Sequence, residues 1–150
     1  MTKILTSGLE DYVEAIFLLQ LEKGVARVKD VAQMLKVTKA SVVGALKILQ
    51  DKGLIVHEKY GYIELTQKGI LKAEEIYRKH KNLCSFFTEI LKVDLEQAEK
   101  DACGIEHHIS ERTLRSLIAL ADFLREKREL LIEFHKYLSE KRKSSKKNIE

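Results

Sequence analysis

The sequence predicts a mainly α protein: an N-terminal helix-turn-helix closed by a small β-hairpin, followed by an all-helical region. Three observations carry this reading. Apolar residues recur at helical spacing along most of the 150 residues, a short stretch around Gly61 breaks that period, and the chain contains no proline. Without proline, long uninterrupted helices are the default. Glycine divides the chain in two: Gly8, Gly24, Gly44, Gly53, Gly61 and Gly69 lie in the first half and only Gly104 lies beyond them, so turns are expected early and helices late.

Leu9, Tyr12, Val13, Ile16, Phe17 and Leu19 make the apolar face of the first helix, with Thr6 and Ser7 as N-caps and Gly24 as its stop. Val28, Val31, Ala32 and Leu35 make a short second helix that ends at Lys36-Val37. Thr38 caps a third, running from Lys39 to Lys52 with Val42, Leu46 and Leu49 inward and Gly53 as a left-handed stop. Leu54-Ile55-Val56 and Ile63-Glu64-Leu65 then read as two strands around a glycine turn. From Thr66 one helix is expected through Leu91, a second opens near Asp94 and includes Ile109, and a third is capped by Ser110. Leu130, Leu131, Phe134 and Leu138 extend that pattern. The expected parts are residues 1–72, 73–143 and a basic tail, 144–150.

Composition narrows the function classes. With 45% hydrophobic and 33% charged residues the chain has material for one sizeable core or two small ones. No apolar run reaches membrane-spanning length, and Glu10, Asp11 and Glu14 interrupt the N-terminal segment where a signal peptide needs apolar residues, so a cytoplasmic protein without membrane partners is expected. Two cysteines, Cys84 and Cys103, are too few for a disulfide scaffold. Lys plus Arg number 27 against 23 for Asp plus Glu, a net charge of +4 that points mildly to nucleic acid. Part of the excess is the run Lys141, Arg142, Lys143, Lys146 and Lys147, read as a solvated, frayed end.

Three helices followed by a hairpin form a winged helix-turn-helix, whose second helix-turn-helix member enters the DNA major groove. Double-stranded operator DNA is therefore the expected partner. Thr38, Lys39 and Ser41 at the start of that helix, and Lys47 further along, are the residues expected at base edges and phosphates; Lys59 and Tyr60 are the wing-tip candidates. The later helices carry more apolar surface than about 80 residues can hide alone, so a homodimer is expected.

A second constellation carries metal chemistry. Cys103, Glu106 and His107 stand at i, i+3 and i+4, so thiol, carboxylate and imidazole share a helix face; Asp11 and Glu14 stand at i, i+3 in the first helix; His80 lies on the helix after the wing. Together these supply oxygen, nitrogen and sulfur donors suited to a divalent first-row transition metal. No glycine-rich phosphate loop and no H-E-x-x-H arrangement is present, so an enzyme is not expected and no residue is assigned a catalytic role.

On Leu9-Glu10-Asp11-Tyr12-Val13-Glu14, the helix-turn-helix from Val28 to Gly53, Leu65-Thr66-Gln67-Lys68-Gly69, Tyr77-Arg78-Lys79-His80 and above all Gly104-Ile105-Glu106-His107-His108, the sequence resembles the diphtheria toxin repressor and manganese transport regulator family. The resemblance covers nearly the whole chain. It implies a metal-dependent repressor, activated by Fe(II) or Mn(II) with other divalent transition metals able to substitute, that controls metal-homeostasis genes. It also implies a metal set of Asp11, Glu14, His80, Cys103, Glu106 and His107. Cys103 stands where the manganese type has Glu and the iron type Cys, whereas Asp11 stands where the iron type has Met, so the set is a hybrid. An ancillary site implied by the iron branch falls on His80, Cys84 and Glu99. The alternative left open by the residues themselves is a winged-helix regulator that senses a small organic ligand independently of metal.

Overall fold

The structure, a computed structural model, describes residues 5–58 and 61–147. It divides into two compact units, residues 1–78 and 79–150.

In the first unit, α1 (Ser7–Lys23) starts at Thr6, whose hydroxyl accepts a hydrogen bond from the Leu9 amide, and stops at Gly24. α2 (Val28–Leu35) ends at Lys36 in the left-handed region, φ 54°, where the Val37 amide closes on the Ala32 carbonyl. α3 (Lys39–Asp51) is capped by the Thr38 hydroxyl, which accepts from Ser41 N at 3.1 Å. It ends one residue earlier than the sequence predicts: Lys52 is the cap and Gly53, φ 69°, supplies the left-handed turn. Val13, Ile16 and Leu19 of α1, Val31 of α2 and Val42, Leu46 and Leu49 of α3 are buried together with Leu54, Ile55 and Ile63. Full burial of such side chains stabilises by about 1.5 to 3 kcal/mol each.

β1 (Ile55–His57) and β2 (Ile63–Leu65) pair antiparallel with Ile55 opposite Leu65 and His57 opposite Ile63, and Ala26 adds a single bridge to Ile63. The wing is locked to the end of α3 by polar contacts. Thr66 Oγ1 donates to the Gly53 carbonyl at 2.7 Å and accepts from Gly69 N at 3.1 Å, while Lys68 Nζ donates to the Lys52 carbonyl at 2.9 Å. Gly69 opens the next helix at a close approach, since a Cβ there would lie 2.0 Å from the Leu54 carbonyl oxygen.

α4 (Gln67–Ser85) does not continue to Leu91 as one α-helix. It passes into a π-helical turn, Phe86–Ile90, where Thr88 Oγ1 donates to the carbonyls of Cys84 and Ser85 and draws them away from the regular ladder. Among the described residues the second unit is otherwise three helices. α5 (Leu95–Glu106) is capped by Asp94 and stops before Ile109; α6 (Glu111–Glu126) is capped by Ser110. Lys127, at φ −97° and ψ 63°, separates α6 from α7 (Arg128–Lys147), so the apolar pattern from Leu130 belongs to a helix of its own. α7 carries Lys141, Arg142 and Lys143 as helical residues, not as a frayed end. Leu83, Cys84, Ala98, Ala102 and Leu114 form one core here, and Phe86, Ile90 and Ala121 another.

Candidate nucleic-acid and metal sites

In the first unit a groove of 570 Å³ lies between the start of α2, the recognition helix α3 and the wing, lined by Arg27, Lys29, Lys39, Val43, His57 and Tyr62 among others. Arg27 is fixed there. Its Nη2 donates to Tyr62 Oη at 2.9 Å and its guanidinium carbon lies 4.8 Å from the centre of the same ring. Arg27, Lys29, His57 and Tyr62 escape the sequence reading because they come from three separate elements; the local sign was an arginine just before a helix and a second tyrosine beside Gly61. Among the predicted contacts, Lys39 lines the groove, Ser41 and Lys47 are exposed on α3, and Thr38 is engaged by Ser41, hydroxyl to hydroxyl at 2.8 Å. Lys59 and Tyr60 lie outside the described residues.

On α1, Asp11 and Glu14 are half-buried, and the buried carboxylate is their neighbour Glu10, 2.8 Å from Lys72 Nζ. Burial alone would push the Lys72 ammonium down, but its hydrogen bond to Glu10 and the charges of Glu10 and Glu75 together hold it above its ordinary value. Glu10 therefore has a structural partner inside the unit, which its place in the apolar stripe did not reveal.

The second unit gathers His80, Cys84, Glu99, Glu106 and His107. His80 Nδ1 lies 2.6 Å from Glu106 Oε2 and Nε2 lies 2.7 Å from Glu99 Oε2; Cys84 Sγ donates to Glu99 Oε1 at 3.3 Å. Both ring nitrogens thus face carboxylate oxygens. The hydrogen bond from His80 holds the Glu99 carboxyl below its usual range, while burial, followed by the adjacent Glu99, pushes the Cys84 thiol up. Cys103, one turn before Glu106 on α5, is exposed, and His108 is exposed as well.

Glu106 tests whether a metal fits. The residue is 1% exposed, and its Oε1 has no hydrogen-bond partner among the described residues. His107 Nε2 approaches to 3.4 Å outside hydrogen-bond geometry, on a side chain 5% exposed. A buried carboxylate oxygen left without a partner costs about 1 to 3 kcal/mol or more. A cation beside Glu106, His80 and His107 removes that cost, and the donors are of the kind a divalent transition metal takes. The residues present fit the group.

The chain matches two family models: the iron dependent repressor N-terminal DNA binding domain over residues 4–63, and the iron dependent repressor metal binding and dimerisation domain over residues 66–129. It is 34% identical over 126 residues to the HTH-type transcriptional regulator MntR of Lysinibacillus sphaericus (strain C3-41), covering 84% of this chain and 90% of the relative. Among solved structures it is similar to the T. acidophilum IdeR, with TM-score 0.70, 27% identity and 80% of this chain covered. It is also similar to the manganese regulator SloR, with TM-score 0.69, 25% identity and 79% covered. The chain spans 55% of the length of each of these two solved chains.

Proposed function

As this chain belongs to the iron-dependent repressor family, we propose that it is a homodimeric repressor that binds double-stranded operator DNA when Fe(II) or Mn(II) is bound, and so controls metal-homeostasis genes from the cytoplasm. Residues 1–72 serve as the DNA-binding domain and 73–143 as the metal-binding and dimerisation domain. The observation that carries the metal reading is the buried Glu106 carboxylate, with His80 at Oε2 and His107 near Oε1, whose Oε1 has no hydrogen bond among the described residues. His80, Glu106 and His107 would hold the ion with Asp11, Glu14 and Cys103, the last three assigned from the sequence pattern; His80, Cys84 and Glu99 form the ancillary set.

The ion would supply positive charge where carboxylates otherwise repel one another. Asp11, Glu14 and Glu106 come from both ends of the sequence, so holding one cation couples the DNA-binding part to the helical part. Coupling is reciprocal, and operator DNA tightens metal binding by the same factor. In the groove, Arg27, Lys29 and Lys39 supply phosphate contacts, with Thr38, Ser41 and Lys47 on α3, and Lys59 and Tyr60 at the wing tip. The dimer reading is supported by apolar side chains left exposed on α6 and α7, namely Leu120, Phe123, Leu130, Ile132 and Tyr137. Two recognition helices about 34 Å apart then read successive major grooves.

Between the two metals, Cys103 favours Fe(II), because a thiolate suits softer ions, while Asp11 and Glu14 are the hard donors that suit Mn(II). The test is anaerobic binding to duplexes selected from a random pool, measured without metal and with Fe(II), Mn(II) and Zn(II). Tightening of tenfold or more with Fe(II) or Mn(II) is expected. Equal binding with and without metal overturns the reading in favour of a regulator that senses an organic ligand.

A further inference from the structure

The chain's positive charge is concentrated in one place. Residues 136–147 hold six Lys and Arg (Lys136, Lys141, Arg142, Lys143, Lys146 and Lys147) against Glu140, so of 27 basic and 23 acidic residues the remainder keeps 21 against 22, a net charge of −1. Because α7 is helical through Lys147, this charge has a geometry. His135, Lys136, Ser139, Arg142 and Lys143 follow one another at i, i+1, i+4, i+7 and i+8, the spacing of a single helix face, with Glu140 at its margin. The stripe is about 12 Å long.

That face opens on a pocket of 260 Å³ lined by Lys92, His135, Leu138, Ser139, Arg142 and Lys143. Two of its lining side chains are held in place. Arg142 donates to the carbonyls of Leu91 at 2.8 Å and Lys92 at 3.0 Å, and His135 Nε2 lies 3.0 Å from the Ile90 carbonyl. Lys92 sits in the left-handed region at φ 52°, which closes the end of the π turn and puts its side chain on the pocket rim. The acid within that turn, Glu89, is paired with Arg125 at 2.8 Å.

We propose that this basic face of α7 is a second nucleic-acid contact, which grips the phosphate backbone of duplex DNA. The proposal rests on the DNA-binding reading above. A basic stripe about 12 Å long suits a polyanion rather than one small anion, since a DNA strand presents a phosphate about every 3.4 Å. A membrane surface is disfavoured: the opposite side of the same turns carries one exposed aromatic, Tyr137, followed by Lys141, Ser144 and Ser145, not the continuous apolar face an interfacial helix buries.

The experiment compares the full-length wild type, K92Q/K136Q/K143Q and the charge-preserving K92R/K136R/K143R. Their affinities for a mixed-sequence duplex are measured across salt concentrations with Mn(II) present, alongside melting temperatures. Loss of three phosphate contacts lowers the slope of log affinity against log salt by about two to three units, and the arginine variant restores it. Overlaid wild-type and glutamine-variant slopes, with metal-dependent duplex binding intact, overturn this proposal and leave the family reading standing. A wild type that binds no duplex overturns both. An unchanged DNA slope together with lost binding to phosphatidylserine vesicles assigns the face to membrane and overturns it as well.

Discussion

His80 Nδ1 lies 2.6 Å from Glu106 Oε2, while the other oxygen of the same carboxylate is buried without a hydrogen bond among the described residues. One carboxylate is therefore half satisfied. Glu106→Gln keeps the shape but replaces the carboxylate, so the rise in melting temperature on adding Fe(II) or Mn(II) should vanish. Thermal melts with and without metal check this, and a metal-induced rise equal to that of the wild type would falsify the assignment of Glu106. His107→Ala should likewise lose the metal response while it keeps the dimer.

Cys103 and Glu106 are one turn apart yet differ in burial, the first exposed and the second covered. Cys103→Glu replaces a soft donor with a hard one and should move activation from Fe(II) toward Mn(II). Activation curves for the two metals that overlay those of the wild type would take Cys103 out of the ligand set.

Arg27→Ala should weaken duplex binding and reduce the salt slope by about one unit, because the groove loses a cation that Tyr62 holds in place. Tyr62→Phe keeps the ring beneath the guanidinium and should lose less. Equal losses in the two variants would show that the hydroxyl contact, not the charge, matters.

Gly69→Ala puts a methyl group against the Leu54 carbonyl and should destabilise the first unit by about 1 to 3 kcal/mol. Denaturant unfolding measures it directly, and an unchanged midpoint would mean that β1 and α4 move apart at little cost.

The Ser85 hydroxyl and Arg125 hold the Glu89 carboxyl below its ordinary value. A depressed carboxylate contributes stability that is present above its unfolded value, near 4.3, and is lost as pH falls through the lower folded value. Glu89 and Arg125 are both more than a third exposed, so the contribution is at most about 1 kcal/mol. Arg125→Ala should narrow the stability difference between neutral pH and pH 3; melts at the two pH values show whether it does.

Much of the fold was legible because its signals are local. Thr6, Thr38, Asp94 and Ser110 each cap a helix with their own side chain, and Gly53 takes the left-handed turn that only glycine adopts without strain. The π turn was hidden because Phe86 to Ile90 keeps an apolar helical rhythm, and the disturbance comes from one hydroxyl, that of Thr88. The Glu10–Lys72 pair was hidden for another reason: its partners are distant in sequence, and periodicity says nothing about which charged residue is covered. At the candidate metal site, spacing placed Cys103, Glu106 and His107 on one face but could not say that Glu106 alone would be fully buried. That depends on how α4 and α5 pack, which no local pattern encodes.

Thr66 Oγ1 reaches the Gly53 carbonyl across only 13 residues, whereas the Gln20 side chain reaches the Ile63 carbonyl across 43. Closing the shorter loop costs less chain entropy, so the contact between the wing and the end of α3 should form before the seal onto α1. Thr66→Val should accordingly slow refolding, with φ well above that of Gln20→Ala, whose effect should fall mainly on the unfolding rate.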